Sequence, residues 1–358
     1  MVPFFTALLV SALTAPVVIK FYRRYGWVDD PATNTHEKVL HTRSVPRGGG
    51  IVVFAGLLFA CALFLQVDKY LIAILLGALI LTVTGVIDDI YDISPTVRLV
   101  IGVLVALIVV GSGIGIAYIS NPFGPSVIHL DQPQWELYLL GKTRTIWILS
   151  DLFALFFIVW NMNIVNWSKG VDGQMPGFVS IALIMVGILS SSFLDDPTQF
   201  HTASLAFIAA GAFSGLLLWN WHPQKMMPGY GAGSLAGYLL AVTAILSGAK
   251  VATTLMVLAI PTADALFTLL RRIIAGKSPL QGDRGHLHHL LLDIYGWSKP
   301  RIALFYWMTS LGLGLLSLTL NTTGKVVVLG STFLIVFSFL LVSNYKSRSA
   351  TKQSSLQS

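Results

Sequence analysis

Long apolar runs recurring along the whole chain constrain this sequence more than any other feature. About eleven stretches carry almost no charge, near 3–20, 49–66, 70–87, 97–119, 146–164, 177–194, 202–219, 234–248, 251–269, 302–320 and 326–343. Each approaches the roughly 20 residues that cross a bilayer. In lipid every backbone amide and carbonyl must be satisfied within its own segment, so such runs form helices. The expected fold class is an all-α polytopic membrane protein with about eleven transmembrane helices. Composition agrees, with 55% of residues hydrophobic and 11% charged, against roughly 25% charged in soluble domains. The single cysteine, Cys61, lies inside an apolar run, which leaves no disulfide framework and no cysteine-rich metal site.

The first run is followed directly by Lys20, Arg23 and Arg24 and has no basic segment before it. It reads as a retained span with its N-terminus outside, not as a cleaved signal peptide. On that count, 18 of the 23 Lys and Arg residues fall on one side, in loops 20–48, 88–98, 165–176, 220–233 and 270–301 and in the tail. The bias is the positive-inside signature, so these loops are expected to face the cytoplasm, as is the C-terminus. The net charge of +7 fits membrane orientation and anionic substrates better than nucleic acid. The outer segment 120–145 holds SVIHL and WELYLL, expected to form a short external β-hairpin. Residues 1–343 read as a single integral-membrane domain and 344–358 as a polar, disordered tail.

The unusual chemistry gathers on the basic side. Asp88, Asp89 and Asp92 end one apolar run, and Ser94-Pro95 reads as the N-cap and first position of the next helix. Carboxylates at a helix C-terminus repel one another and oppose the helix dipole, so they want a cation, a basic partner or water. The first loop carries His36, His41, Arg43 and Arg47 before three glycines, a pattern that suits an anion or simply a flexible entry to a helix. Asn163, Asn166, Lys169 and Asp172 crowd into a glycine-bearing turn, where Asn and Asp also serve as turn caps. Pro228-Gly-Tyr-Gly-Ala-Gly-Ser234 opens another span, with room for a phosphate or for close helix packing. Arg271, Arg272, Lys277, Asp283, Arg284, His286, His288 and His289 form the last group. His286 and His289 would share a face if helical, but Arg284 disfavours zinc beside them.

Four of these segments, HTRSVPRGGG, GVIDDIYDISPTVRL, NIVNWSKGVDG and GDRGHLHHLLL, resemble the polyprenyl-phosphate N-acetylhexosamine-1-phosphate transferases of glycosyltransferase family 4. The His-x-His-His signature is similar to the branch acting on undecaprenyl phosphate with a GlcNAc donor. The likeness covers roughly residues 1–343 in motif order and span number. It implies attack of a lipid phosphate on a UDP-sugar at the cytoplasmic face of the plasma (inner) membrane, releasing UMP, with Mg²⁺ or Mn²⁺ as cofactor. Expected partners are the polyprenyl phosphate, the UDP-sugar and the membrane, with a homodimer compatible and no nucleic acid. By resemblance Asp88, Asp89, Asp172 and His288 are catalytic. Arg47, Asn163, Asn166, Lys169, Arg284, His286 and His289 bind substrate, and Asp89 and Asp172 hold the metal.

Two departures stand out. Lys169 occupies the first Asp position of the family's Asn-x-x-Asp-Gly-x-Asp-Gly turn. Gly231 replaces the acid of its Gly-Asp-x-Gly-Ser segment, an acid linked in the family to the metal. Together they move the local charge by about +3, since two acids are lost and one amine is gained. The residues leave two non-enzymatic readings open. A transporter of lipid-linked phosphates would place polar groups at mid-membrane, where Asp264 is the main exception to a clean pattern, and a catalytically silent lipid-phosphate binder would keep the basic loops.

Overall fold

The computed structural model describes residues 1–32, 42–122, 124, 126–139, 142–192, 197–248, 251–278 and 284–355. His36, His41 and Asp283 lie outside the described residues. Thirteen helices account for nearly all of the regular structure described. The first half contributes α1 (Val2–Tyr25), α2 (Gly49–Phe64), α3 (Lys69–Tyr91), α4 (Pro95–Gly111) and α5 (Ile148–Trp167). Then come α6 (Gln174–Ser191), α7 (Pro197–Asn220), α8 (Gly229–Leu246), α9 (Val251–Val257) and α10 (Ala259–Ile274). The chain closes with α11 (Leu287–Asp293), α12 (Lys299–Thr319) and α13 (Thr322–Ser355), the last running on into the polar C-terminal residues.

Each of the eleven apolar runs contains helix, but they are not equivalent, and the run at 97–119 is helical only to Gly111 and ends in a strand from Tyr118. Among the described residues eight helices are long and apolar enough to cross a membrane. The run at 251–269 is not one straight helix: α9 and α10 meet at a bend of 80°, and together they make a ninth candidate. The helices α2 and α4 are apolar but shorter, at 16 and 17 residues. The expected N-cap is in place, with Ser94 accepting a hydrogen bond from Val97 N and Pro95 opening α4.

The segment from Tyr118 to Trp147 forms two strand pairs with partners other than those expected from SVIHL and WELYLL. Strand β3 (Tyr118–Ser120) pairs antiparallel with β4 (Val127–His129), and β5 (Gln134–Leu139) pairs with β6 (Lys142–Trp147). Most of WELYLL therefore pairs with the strand that follows it in sequence, not with SVIHL. A further two-residue pair, Val28–Asp29 with Val45–Pro46, ties the end of α1 to the start of α2.

The bundle is built around α8, in which every residue from Gly229 to Ile245 is buried. It packs against α2, α3, α5, α6, α7 and α9. Its sequence, GYGAGSLAGYLLAVTAIL, explains how so many neighbours fit. In a membrane the lipid is as apolar as the side chains, so association relies on close backbone approach across small residues. At the start of α8, a Cβ built on Gly85 of α3 would lie 2.5 Å from Gly231 Cα, and one on Gly50 of α2 would lie 3.0 Å from the same atom. Three glycines thus bring three helices into backbone contact. Gly237, one and a half turns on, lies against the Asn161 carbonyl of α5.

Candidate active site

One end of the bundle collects the chemistry. The C-terminal ends of α1, α3, α5 and α7 and the N-terminal ends of α2, α4, α6, α8 and α12 meet there through specific bonds. Met227 N donates to Pro46 O at 2.7 Å, Gly173 N donates to Asn220 Oδ1 at 3.0 Å, and Trp307 Nε1 donates to Gly173 O at 3.1 Å.

The three aspartates of the α3 terminus have three different environments. Asp88 is buried, and its Oδ1 lies 2.7 Å from the Arg98 guanidinium at the start of α4. Asp92 caps α3 in the left-handed region at φ 47°, is 83% exposed, and shares the same guanidinium at 2.8 Å. Asp89 accepts a hydrogen bond from the Tyr22 hydroxyl at 3.2 Å through Oδ2. Its Oδ1 is buried without a hydrogen-bond partner and faces Gly229, where a Cβ would come within 2.8 Å of it. A buried polar atom in this state costs free energy unless something completes it. Gly229 adopts φ 65° and leaves the space open.

Lys169 reaches the same point from the turn between α5 and α6, with Nζ donating to Gly229 O at 2.6 Å. Burial lowers its pKa from 10.5 to about 7, against the pull of Asp88 and Asp89. Asn166, one turn earlier on α5, lies against Gly233 with its side-chain oxygen buried and without a hydrogen-bond partner. Arg47 is held by Asp29 at 2.6 Å. Burial lowers its pKa, but Asp29, Asp89 and Asp92 raise it further, so the net shift is upward. Lys169, Arg98 and Arg47 therefore surround two carboxylates.

Asp172 belongs to a second cluster beside the first. It accepts from His222 Nδ1 at 2.7 Å and from Gln224 N at 3.3 Å, and its Oδ1 lies 3.5 Å from Lys299 Nζ. The histidines form the third part. His286 Nδ1 lies 3.0 Å from Asp264 Oδ2, and Leu287 N donates to Asp264 Oδ1 at 2.8 Å, so Asp264 of α10 fixes the start of α11. His286 is the extended N-cap, not a helical residue. The expected shared face of His286 and His289 is replaced by a ring cluster, His286 stacked on His288 at 5.7 Å and His288 tilted against His289 at 4.3 Å. The His288 ring lies directly against Gly170, which brings this group to the Lys169–Asp172 turn.

Two nominated residues engage elsewhere. Asn163 Nδ2 donates to Val159 O of its own helix at 2.8 Å, and Arg284 forks onto Asp293 at 2.8 and 3.1 Å. Sequence reasoning missed Tyr22, His222 and Lys299, for which no local motif exists. Arg98 was within reach, since it lies in the aspartate motif on the first turn of the next helix.

The expected metal fits this donor set poorly. Among the described residues no group of three or more His, Cys, Asp or Glu side chains could hold an ion. Asp89 and Asp172 make separate contacts, with Tyr22 and with His222 and Lys299. An apolar groove of about 520 Å³ adjoins the site between α3 and α4, lined by Ile80, Thr84, Ile101, Leu104, Leu107 and Ile108. Thr84 is one turn from Asp88, and Ile101 one turn from Arg98.

A model of the glycosyl transferase family 4 matches residues 71–248. The chain is 28% identical to a probable undecaprenyl-phosphate N-acetylglucosaminyl 1-phosphate transferase of Bacillus subtilis, over 81% of this chain and 76% of that one. It is 25% identical to a decaprenyl-phosphate N-acetylglucosaminephosphotransferase of Mycolicibacterium smegmatis, over 92% and 86%. It is 29% identical to an undecaprenyl-phosphate alpha-N-acetylglucosaminyl 1-phosphate transferase of Salmonella typhi, over 80% and 74%.

Proposed function

The chain belongs to glycosyl transferase family 4, and from that membership we propose that it transfers N-acetylglucosamine-1-phosphate from UDP-GlcNAc to a polyprenyl phosphate. The observation that carries the reading is the likeness to relatives named for that transfer, joined to a charged cluster one helical turn from an apolar groove. An oxygen of the lipid phosphate attacks the phosphorus that bears the sugar, the bond to the bridging oxygen breaks, and UMP leaves with that oxygen. The products are polyprenyl-diphospho-GlcNAc and UMP.

Bringing a phosphate monoester to a diphosphate gathers about four negative charges, so cationic stabilisation dominates the barrier. Lys169, Arg98 and Arg47 supply it around Asp88 and Asp89. The monoester has a second pKa of about 6 and is already ionised near neutrality, so Asp88 orients the nucleophile more than it removes a proton. The His286–His288–His289 cluster flanks the donor's diphosphate, with Asp264 fixing its first member. The prenyl chain lies in the groove between α3 and α4, which puts its phosphate one helical turn away beside Arg98.

The basic bias of the loops at this end supports a cytoplasmic site in the plasma membrane, and residues 1–343 act as one integral-membrane unit. The test is UMP release from UDP-GlcNAc by the purified chain with undecaprenyl phosphate, alongside Asp88→Asn. UMP that disappears in the variant supports the transferase. Its absence with a panel of UDP-sugars rejects it in favour of a lipid-phosphate binder.

A further inference from the structure

The two departures from the family pattern, Lys169 and Gly231, meet at one point. Lys169 Nζ bonds the carbonyl of Gly229, two residues before Gly231. The space beside Gly231 is closed by backbone, since a Cβ there would lie 3.3 Å from both Gly50 Cα and Gly85 Cα. A side chain at that position requires the backbone of α2 and α3 to give by a few tenths of an ångström. The amine arrives instead beside Asp88 and Asp89, the latter with a buried oxygen lacking a hydrogen-bond partner. We propose that the Lys169 ammonium is a tethered cation standing in for a divalent metal, so that the site binds the donor's diphosphate without a protein-held ion.

Charge and donor count both support this. An ammonium has three N–H donors; one goes to Gly229 O, which leaves two for phosphate oxygens. Asp88 and Asp89 favour the charged amine while burial opposes it, and an incoming diphosphate adds to the favourable side. A second cation would have to enter among Lys169, Arg98 and Arg47. Like charges at short range in a partly desolvated site repel before any ligand bond is made. Gly231 supplies no side chain that would compensate.

The inference rests on the transferase reading, so its test has a readout of its own. The full-length protein, stripped of metal in detergent, is titrated with Mn²⁺ and free Mn²⁺ is followed by electron paramagnetic resonance. The expected result is no stoichiometric binding to the wild-type chain, and one Mn²⁺ bound per chain overturns the proposal. In parallel, UMP release is measured with EDTA and with Mg²⁺. The expected rates agree within about threefold, whereas a loss of about 100-fold or more in EDTA that Mg²⁺ restores overturns it. Lys169→Met should lose about 100-fold in both buffers, and Lys169→Arg should retain most activity in EDTA. Full activity of Lys169→Met in EDTA also overturns it. If no UMP forms under any condition, the transferase reading fails, and the Mn²⁺ titration still decides this one.

Discussion

The Asp88 carboxylate and the Arg98 guanidinium lie 2.7 Å apart across the turn from α3 to α4. The pair joins two helix ends and positions a charge of each sign one helical turn from residues that line the apolar groove. Arg98 also lies over the Tyr230 ring, 5.4 Å from its centroid, which fastens it to α8. Arg98→Met leaves Asp88 buried without its counter-ion. It should destabilise the fold by roughly 2–3 kcal/mol, less than a fully buried pair because Arg98 is partly exposed. Thermal unfolding in detergent reads the loss, and Arg98→Lys should recover about half of it.

Gly85→Ala tests the three-glycine junction. Its Cβ would sit 2.5 Å from Gly231 Cα, and backbone cannot rotate aside as a side chain can. Overpacking of this kind costs about 1–3 kcal/mol, so a lower unfolding temperature is expected.

Gly170→Ala should disable the site while sparing the fold. The added methyl would meet the His288 ring, and Gly170 has no positive φ, so the effect is steric alone. Displacing a group that orients a diphosphate costs about 100-fold. UMP release should fall by that order with the unfolding temperature within about 2 °C of wild type. An unchanged rate would remove His288 from the proposed mechanism.

The lipid groove predicts a selective effect on the acceptor. Ile101→Trp fills the space beside Arg98 without altering a polar group. It should raise KM for undecaprenyl phosphate about tenfold and leave KM for UDP-GlcNAc unchanged, as expected when binding of one substrate is lost uniformly. Equal changes in both constants would place the prenyl chain elsewhere.

Lys169 gives the stability a pH slope of known sign. Its folded pKa is lowered from 10.5 to about 7, chiefly by burial. Between those values the unfolded chain keeps a proton that the folded chain has released, so stability rises with pH. Below about 7 both states are protonated, the cost of burying the charge is fully present, and the slope vanishes. Thermal unfolding from about pH 6.5 to about pH 9.5 should show the rise in wild type and not in Lys169→Met. Activity should run the other way, falling as the amine loses its proton, with Lys169→Arg holding its rate to higher pH.

Where the helices lie was legible from the sequence, because lipid leaves a backbone no alternative to internal hydrogen bonding. Each apolar run from 3–20 to 326–343 contains helix, although the one at 97–119 stops at Gly111; the Ser94-Pro95 start was placed correctly, and the polar motifs fell at helix ends. Contacts between distant segments were not legible. Tyr22 reaches Asp89 across 67 residues, and Asp172 reaches His222 across 50. The division of three adjacent aspartates into a buried ion pair, a tyrosine-bound carboxylate and an exposed cap was equally hidden.

The sequence by itself thus determined an α-helical membrane architecture and the identity of the charged groups at its loops. Only the tertiary structure decided that α8 would be the enclosed centre, that Gly50, Gly85 and Gly231 would meet, and that Lys169 would come to Gly229 beside Asp89. The reason is that helix faces in lipid are apolar all round, so periodicity does not record which face meets which neighbour. Shape, small residues and a few buried polar contacts make that choice.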